Sequence, residues 1–312
     1  MTGFVFTETP PDGWDRRCAD TGAFFSSPAW QDVLLDGFST TALYGWDGAG
    51  GGAISLFPAG PFRIGYLGFP VGTLLEANES PVEFVQSLAA LEPPARPVCL
   101  RIPVSPFAGT ADLDLPWTTA PETAIPDLQN WRLDDVSKNL RRDIRRAQRS
   151  GLELVAATQP AQGDALFDMY CKTVERKGGS QRYTRAYFRS LVKLSLHDDR
   201  IDVLLAQSGG NIAGFAVTAR ERTTTYYLHG VANEAYRADS PSDLLLSHAI
   251  ETARARGFRC FNLMASPATQ VGLVRYKEKW GGETRAHRTY TLPLRATYPL
   301  FRAAELAYRL FS

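Results

Sequence analysis

At 312 residues, 44% apolar and 21% charged, the chain has the make-up of a soluble globular protein with room for two ordinary cores. Its 34 Lys and Arg against 33 Asp and Glu leave a net charge of +1, which excludes a whole-molecule pull toward nucleic acid but not a local cationic patch. No apolar run approaches the roughly 20 residues that span a bilayer. Cys18, Cys99, Cys171 and Cys260 are too far apart in sequence to read as a metal-ligand pair. The opening Met-Thr-Gly-Phe-Val-Phe lacks the basic and apolar regions of a signal peptide, so the expectation is a cytoplasmic protein with reduced thiols.

In chain order, Ser27 before Pro28 predicts a helix N-cap and first helical residue. The glycines from Gly48 to Gly52 predict a hairpin, and the punctuated run Pro61 to Thr73 predicts short strands. Asn78 precedes a helical pattern over Ser80–Leu91, and Pro97–Val104 reads as a buried strand. The proline-rich stretch Pro106–Asn130 is read as an irregular loop. Asp134–Arg149, acidic at its start, arginine-rich along its body and followed by Gly151, predicts a helix.

The second half predicts helices over Ala165–Lys177 and Thr184–Leu196, then strands Ile201–Ala206, Ile212–Ala219 and Thr223–Val231. A helix over Ser242–Arg256 stops at Gly257. Strand Phe258–Met264, helix Gln270–Trp280, strand Arg285–Leu292 and an amphipathic helix from Pro299 complete the chain. Both halves carry helices, antiparallel strands, a helix and a further strand. The expected fold class is therefore α+β, in two tandem units spanning 1–158 and 159–312.

Arg237-Ala238-Asp239-Ser240-Pro241-Ser242 leads into a predicted helix start, where free N–H groups and the dipole favour phosphate. The segment resembles the coenzyme A loop of Gcn5-related N-acetyltransferases, with Ser240 and Ser242 at two small-glycine positions and Pro241 removing one donor. Either Arg237, Ser240 and Ser242 hold a donor phosphate, or Ser240 simply caps a structural helix. Further on, Tyr276-Lys277-Glu278-Lys279-Trp280-Gly281-Gly282 resembles the aromatic-Lys-x-x-aromatic-Gly pattern of the Fem-type (FemABX) peptidyltransferases. The resemblance implies two GNAT-like domains, each a mixed, mostly antiparallel sheet flanked by helices. It makes Lys277 the catalytic lysine, beside Tyr276, stabilising charge on an attacked carbonyl. The alternative is an exposed lysine paired with Glu278.

Lys138, Arg141, Arg142, Arg145 and Arg149 lie along one predicted helix with Leu140, Ile144 and Ala147 as its apolar stripe. Such a face is either merely solvated or binds acceptor or tRNA phosphates. His229, on a strand that lines the acceptor cleft in this fold class, is a general-base candidate, with a structural histidine as the alternative. His197 and His287 read as surface positions. No nucleophile elbow, reactive cysteine motif or zinc set is present, so direct attack by an amine on a bound acyl donor is expected. Arg295, Arg302 and Arg309 form a stripe near the end of the chain, suited to packing on the domain or to peripheral membrane contact.

The resemblance covers Lys138 to Leu292, with support from Phe24 to Val104. In it, Asn262 stands where relatives often carry an acid. It implies transfer of an aminoacyl group from aminoacyl-tRNA to an amine of a cell-wall precursor or natural product. The alternatives are acyl-CoA-dependent acylation of a sugar or small-molecule amine, and a non-catalytic nucleotide- or polysaccharide-binding module. No resident cofactor or metal is expected, since aminoacyl-tRNA or acyl-CoA would be a co-substrate. The protein is expected to be a monomer or weak dimer.

Overall fold

Ser27 begins the first long helix as its sequence predicts: its Oγ accepts from the Trp30 N–H while Pro28 takes the first helical position. The computed structural model describes residues 3–72, 74–76, 81–92, 96–108 and 113–311. The expectations for Thr73, Asn78 and Ser80, and for the side chains of Arg309, Leu310 and Phe311, fall outside what is described.

In chain order the elements are β1 (Val5–Thr7), α1 (Trp14–Thr21), α2 (Pro28–Phe38), β2 (Thr41–Trp46), β3 (Gly51–Ala59), β4 (Phe62–Leu67), α3 (Pro81–Ala89) and β5 (Cys99–Val104). There follow β6 (Trp117–Ile125), α4 (Lys138–Arg149), β7 (Glu153–Ala156), α5 (Gln162–Arg176), α6 (Arg185–Ser195), β8 (Ile201–Ser208), β9 (Asn211–Glu221) and β10 (Thr224–Ala232). The last are α7 (Pro241–Ala255), β11 (Cys260–Ala265), α8 (Val271–Glu278), β12 (Glu283–Pro293) and α9 (Tyr298–Phe311).

Contacts divide the chain into two units: Met1–Ser105 with Gly109–Thr119 and Arg288–Ser312, and Pro106–Ala108 with Ala120–His287. This differs from a division at residue 158. Helix α4 belongs to the second unit because Leu140 and Ile144 pack with Leu246 and Ile250 of α7. The end of β12 and all of α9 belong to the first.

In the first unit the strand order is β1-β2-β3-β4-β5-β12, all antiparallel except β4 with β5. Its core gathers Leu43, Ile54, Leu56, Leu100, Ile102 and Tyr290. Helix α9 docks through Phe301, buried against Val98 and Cys99. Glu305 of α9 pairs with the part-buried Arg101, and Arg302 is also engaged by Glu305. One member of the arginine stripe is thus consumed within the fold.

In the second unit the order is β12-β6-β11-β10-β9-β8-β7. Gly209 and Gly210, both at positive φ, close the β8–β9 hairpin. Gly163 lets α5 meet α6, since a Cβ there would lie 2.6 Å from the Arg189 backbone.

Two expectations need correction here. The stretch Pro106–Asn130 contains β6, which pairs antiparallel with β11. The helix expected over Asp134–Arg149 is a 3-10 turn at Leu133–Asp135 followed by α4, capped by Ser137. The short strand β7 had no counterpart in the sequence reading. The strand and helix assignments from Ile201 to Leu292 hold to within a few residues.

Candidate functional site

Strands β10 and β11 run parallel and are paired at Thr224–Cys260, Thr225–Phe261 and Tyr226–Asn262. Beyond those pairs β10 continues along β9 to Ala232, while β11 bulges against β6 between Asn262 and Ala265. The carboxyl ends of two parallel strands therefore part company, which opens a crevice where α/β architectures bind ligands.

Two cavities, of about 640 Å³ and about 580 Å³, occupy this region and share Lys177, Gly230, Ser242 and Tyr276 in their walls. The first runs along the start of α7. The second is lined by Tyr227, Leu246, Leu263 and Leu273, with Lys277 among them.

Lys277 is 7% exposed, so the exposed-lysine alternative does not hold. Its Nζ donates to the Met264 carbonyl and to Ser266 Oγ, each at 2.8 Å. Burial pulls the ammonium down to about 8, and the charge of Glu122 acts in the opposite sense. An ammonium has three donors, and two are used by these partners.

The cradle has a second layer. Met264 sits at φ 65, a strained conformation for a side-chain-bearing residue. Its N–H donates to Asn262 Oδ1 at 2.7 Å, and Asn262 Nδ2 donates to Glu122 Oε1 at 2.6 Å. The other Glu122 oxygen meets His287 Nδ1. His287 is consequently a part-buried partner of a buried acid, not a surface residue. Glu122 escaped the sequence reading because β6 was taken for a loop.

Tyr276, beside Lys277 in the cavity wall, donates from Oη to Asp243 Oδ1 at 2.9 Å. Burial raises the Asp243 carboxyl, opposed by the Tyr276 hydrogen bond. At the α7 start, Ser240 lies at φ 51 and makes no side-chain cap, which removes the simple capping reading. Its hydroxyl instead accepts from Arg146 Nη2 at 2.6 Å. Ser242 lines both cavities. Arg237 is exposed and ion-paired with Glu234 at 3.1 Å, on the rim of the first cavity.

His229 does not fit the base role. It sits among Tyr183, Tyr187 and Phe188, and its Nε2 meets Tyr187 Oη at 3.0 Å. Burial pushes its imidazole down to about 3, which favours a neutral, structural histidine.

Helix α4 presents Lys138, Arg141, Arg142, Arg145, Arg146 and Arg149 to a third cavity of about 630 Å³. Leu140, Ile144 and Ala147 are its buried stripe. Arg141 pairs with Asp134, while Arg142 and Arg146 both reach Asp143. Among the described residues, Lys138, Arg145 and Arg149 have no ion-pair partner. Arg146 also lines the cavity at the α7 start, so the cationic face continues into the crevice.

Residues 134–278 match the profile of the Acetyltransferase (GNAT) domain. That stretch, a little under half of the chain, is similar to GNAT acetyltransferase domains. No curated protein sequence matches it. Among solved structures, FemX aligns over 96% of this chain and 99% of its own at 12% identity, with a TM-score of 0.68. L-PGS from Bacillus licheniformis aligns over 98% of each chain at 16% identity, with a TM-score of 0.64. A tandem GNAT protein from the clavulanic acid biosynthesis pathway aligns over 94% of this chain and 98% of its own, at 14% identity and a TM-score of 0.53. At such identities the likeness is one of fold: α+β, FemAB-like, with tandem GNAT-like neighbours.

Proposed function

We propose that this acyltransferase moves an aminoacyl group from aminoacyl-tRNA to an amine, the acceptor being a cell-wall precursor or a natural product. The observation that carries the reading is the continuity of the α4 cations with the crevice through Arg146 and Ser240. A stripe of six cations suits a run of phosphates better than the single pyrophosphate of coenzyme A. Asp243 at the α7 start adds negative charge where such a pyrophosphate would rest. The fold shared with FemX agrees with this choice.

In the reaction the acceptor nitrogen bonds to the ester carbonyl carbon, the bond to the ribose oxygen breaks, and a proton passes from nitrogen to the departing oxygen. Lys277, as the ammonium, faces the oxygen on which charge grows and stabilises it, with Met264 and Ser266 holding the amine in place. Arg237 and Ser242 line the approach of the donor, and the α4 face takes the phosphates.

The deciding experiment supplies pooled radiolabelled aminoacyl-tRNA with a broad amine panel. N-aminoacyl product from the native protein, lost in Lys277→Met, is the expected result. Micromolar binding of coenzyme A by calorimetry, with product formed from acyl-CoA alone, would overturn the tRNA reading in favour of the acyl-CoA one. No product from either donor would leave a binding module.

A further inference from the structure

Asp243 is the third residue of α7, the position from which an acid ordinarily reaches back to the cap N–H. It does not do so here. The Ser240 N–H donates to the Arg237 carbonyl, and Asp243 Oδ1 accepts from Tyr276 Oη. Among the described residues no cation stands within ion-pair distance of this carboxylate, and Oδ2 takes no hydrogen bond. The charges of Arg146 and Lys279 act on Asp243 from beyond that distance, against that of Asp143, and Arg146 is engaged by Asp143 and Ser240. The carboxylate is partly buried in a cavity wall, where an unpaired charge is costly.

We propose that Asp243 is the recognition site for the α-ammonium of the donor's aminoacyl group, and so the residue that separates aminoacyl from plain acyl donors. The inference rests on the aminoacyl-tRNA reading. Tyr276 fixes one oxygen of the carboxylate and lines both the cavity that Asp243 borders and the adjoining one that Lys277 borders, so an ammonium on the other oxygen would set the neighbouring ester carbonyl on the Lys277 side. The acceptor amine has the same chemistry but must lose its proton to attack, so a salt bridge to Asp243 would hold it in the unreactive form.

The test compares bulk aminoacyl-tRNA, its hydroxyacyl counterpart made by nitrous acid deamination, and uncharged tRNA in equilibrium binding to the full chain. Native protein is expected to prefer aminoacyl over hydroxyacyl tRNA by about tenfold or more, as a charge-assisted hydrogen bond would give. The isosteric Asp243→Asn is expected to bind both equally while still binding uncharged tRNA. Equal binding of the two charged forms by native protein, or discrimination surviving in Asp243→Asn, overturns the assignment and leaves the tRNA reading standing. Failure of every tRNA to bind overturns both. Asp243→Glu, which keeps the charge, is expected to recover part of the preference. A loss in Asp243→Glu as complete as in Asp243→Asn, with a lowered denaturation midpoint in both, would assign the residue to structure instead.

Discussion

Arg146 of α4 donates to Ser240 Oγ at the head of α7, at 2.6 Å. This one contact ties the cationic helix to the mouth of the crevice. It also explains why a serine is kept in a left-handed conformation that glycine would adopt more readily.

Removal of the unpaired cations tests whether that face binds or is only solvated. Lys138→Ala, Arg145→Ala and Arg149→Ala are expected to leave the urea midpoint unchanged. Each should weaken tRNA binding uniformly across sequences and lower the salt slope by up to about 1. Filter binding across a salt series reads this out. An unchanged slope in the triple variant would assign the face to solvent.

Lys277 predicts a catalytic effect. Lys277→Met is expected to lower kcat by about a hundredfold or more with little change in KM, because the lost donor acts on charge that develops in the transition state. In the proposed mechanism the ammonium is the active form, and because burial brings its loss down to about pH 8, native kcat should fall on the alkaline side of that value.

The same lysine makes a stability prediction. Its folded value of about 8 lies below the ordinary 10.5. Below pH 8 both folded and unfolded chains carry the proton, and the burial penalty is fully present. Between about pH 8 and 10.5 the unfolded chain holds more proton, so this group's contribution rises with pH, by about 3 kcal/mol in all. Denaturant melts of native protein and Lys277→Met at pH 7.5 and 10 give the comparison. The difference between the two proteins should move by about 2 kcal/mol of that amount in the native protein's favour.

Asn262 and Glu122 form a matched pair. Asn262→Asp replaces the Nδ2 donor with a second carboxylate oxygen against Glu122 and should cost about 2–4 kcal/mol in urea melts. Adding Glu122→Gln restores a donor between the two and should recover part of the loss. If the double variant is no better than the single one, the penalty has another origin.

The sequence reading located the helices and strands from Ile201 to Leu292 because their apolar spacing and glycine stops are local signals. The α4 cations were legible from their helical spacing, whereas Lys277 and Tyr276 were singled out by the resemblance to the Fem-type pattern. Glu122 was hidden because β6 carries Pro121 and a polar Trp-Thr-Thr-Ala-Pro-Glu-Thr face, which reads as loop without its neighbour β11. Asp243 drew no reading from the sequence, where it is an ordinary first-turn acid. Only the position of Tyr276 Oη distinguishes it from one. His229 was misjudged because the aromatic cage comes from α6 and the segment before it, more than 40 residues away, a distance that no local pattern spans.

Strand β12 leaves Glu283–His287 in one unit and Arg288–Pro293 in the other, and α9 follows it. The first unit therefore lacks a strand and the Glu305 partner of Arg101 until the whole second unit has been made. On the ribosome the unit that begins first must finish last, waiting with the β5 edge open while the second unit is synthesised. A gene cut near residue 158 would therefore encode neither unit, whereas transposing the closing segment β12–α9 to follow β5 would let the first unit close early.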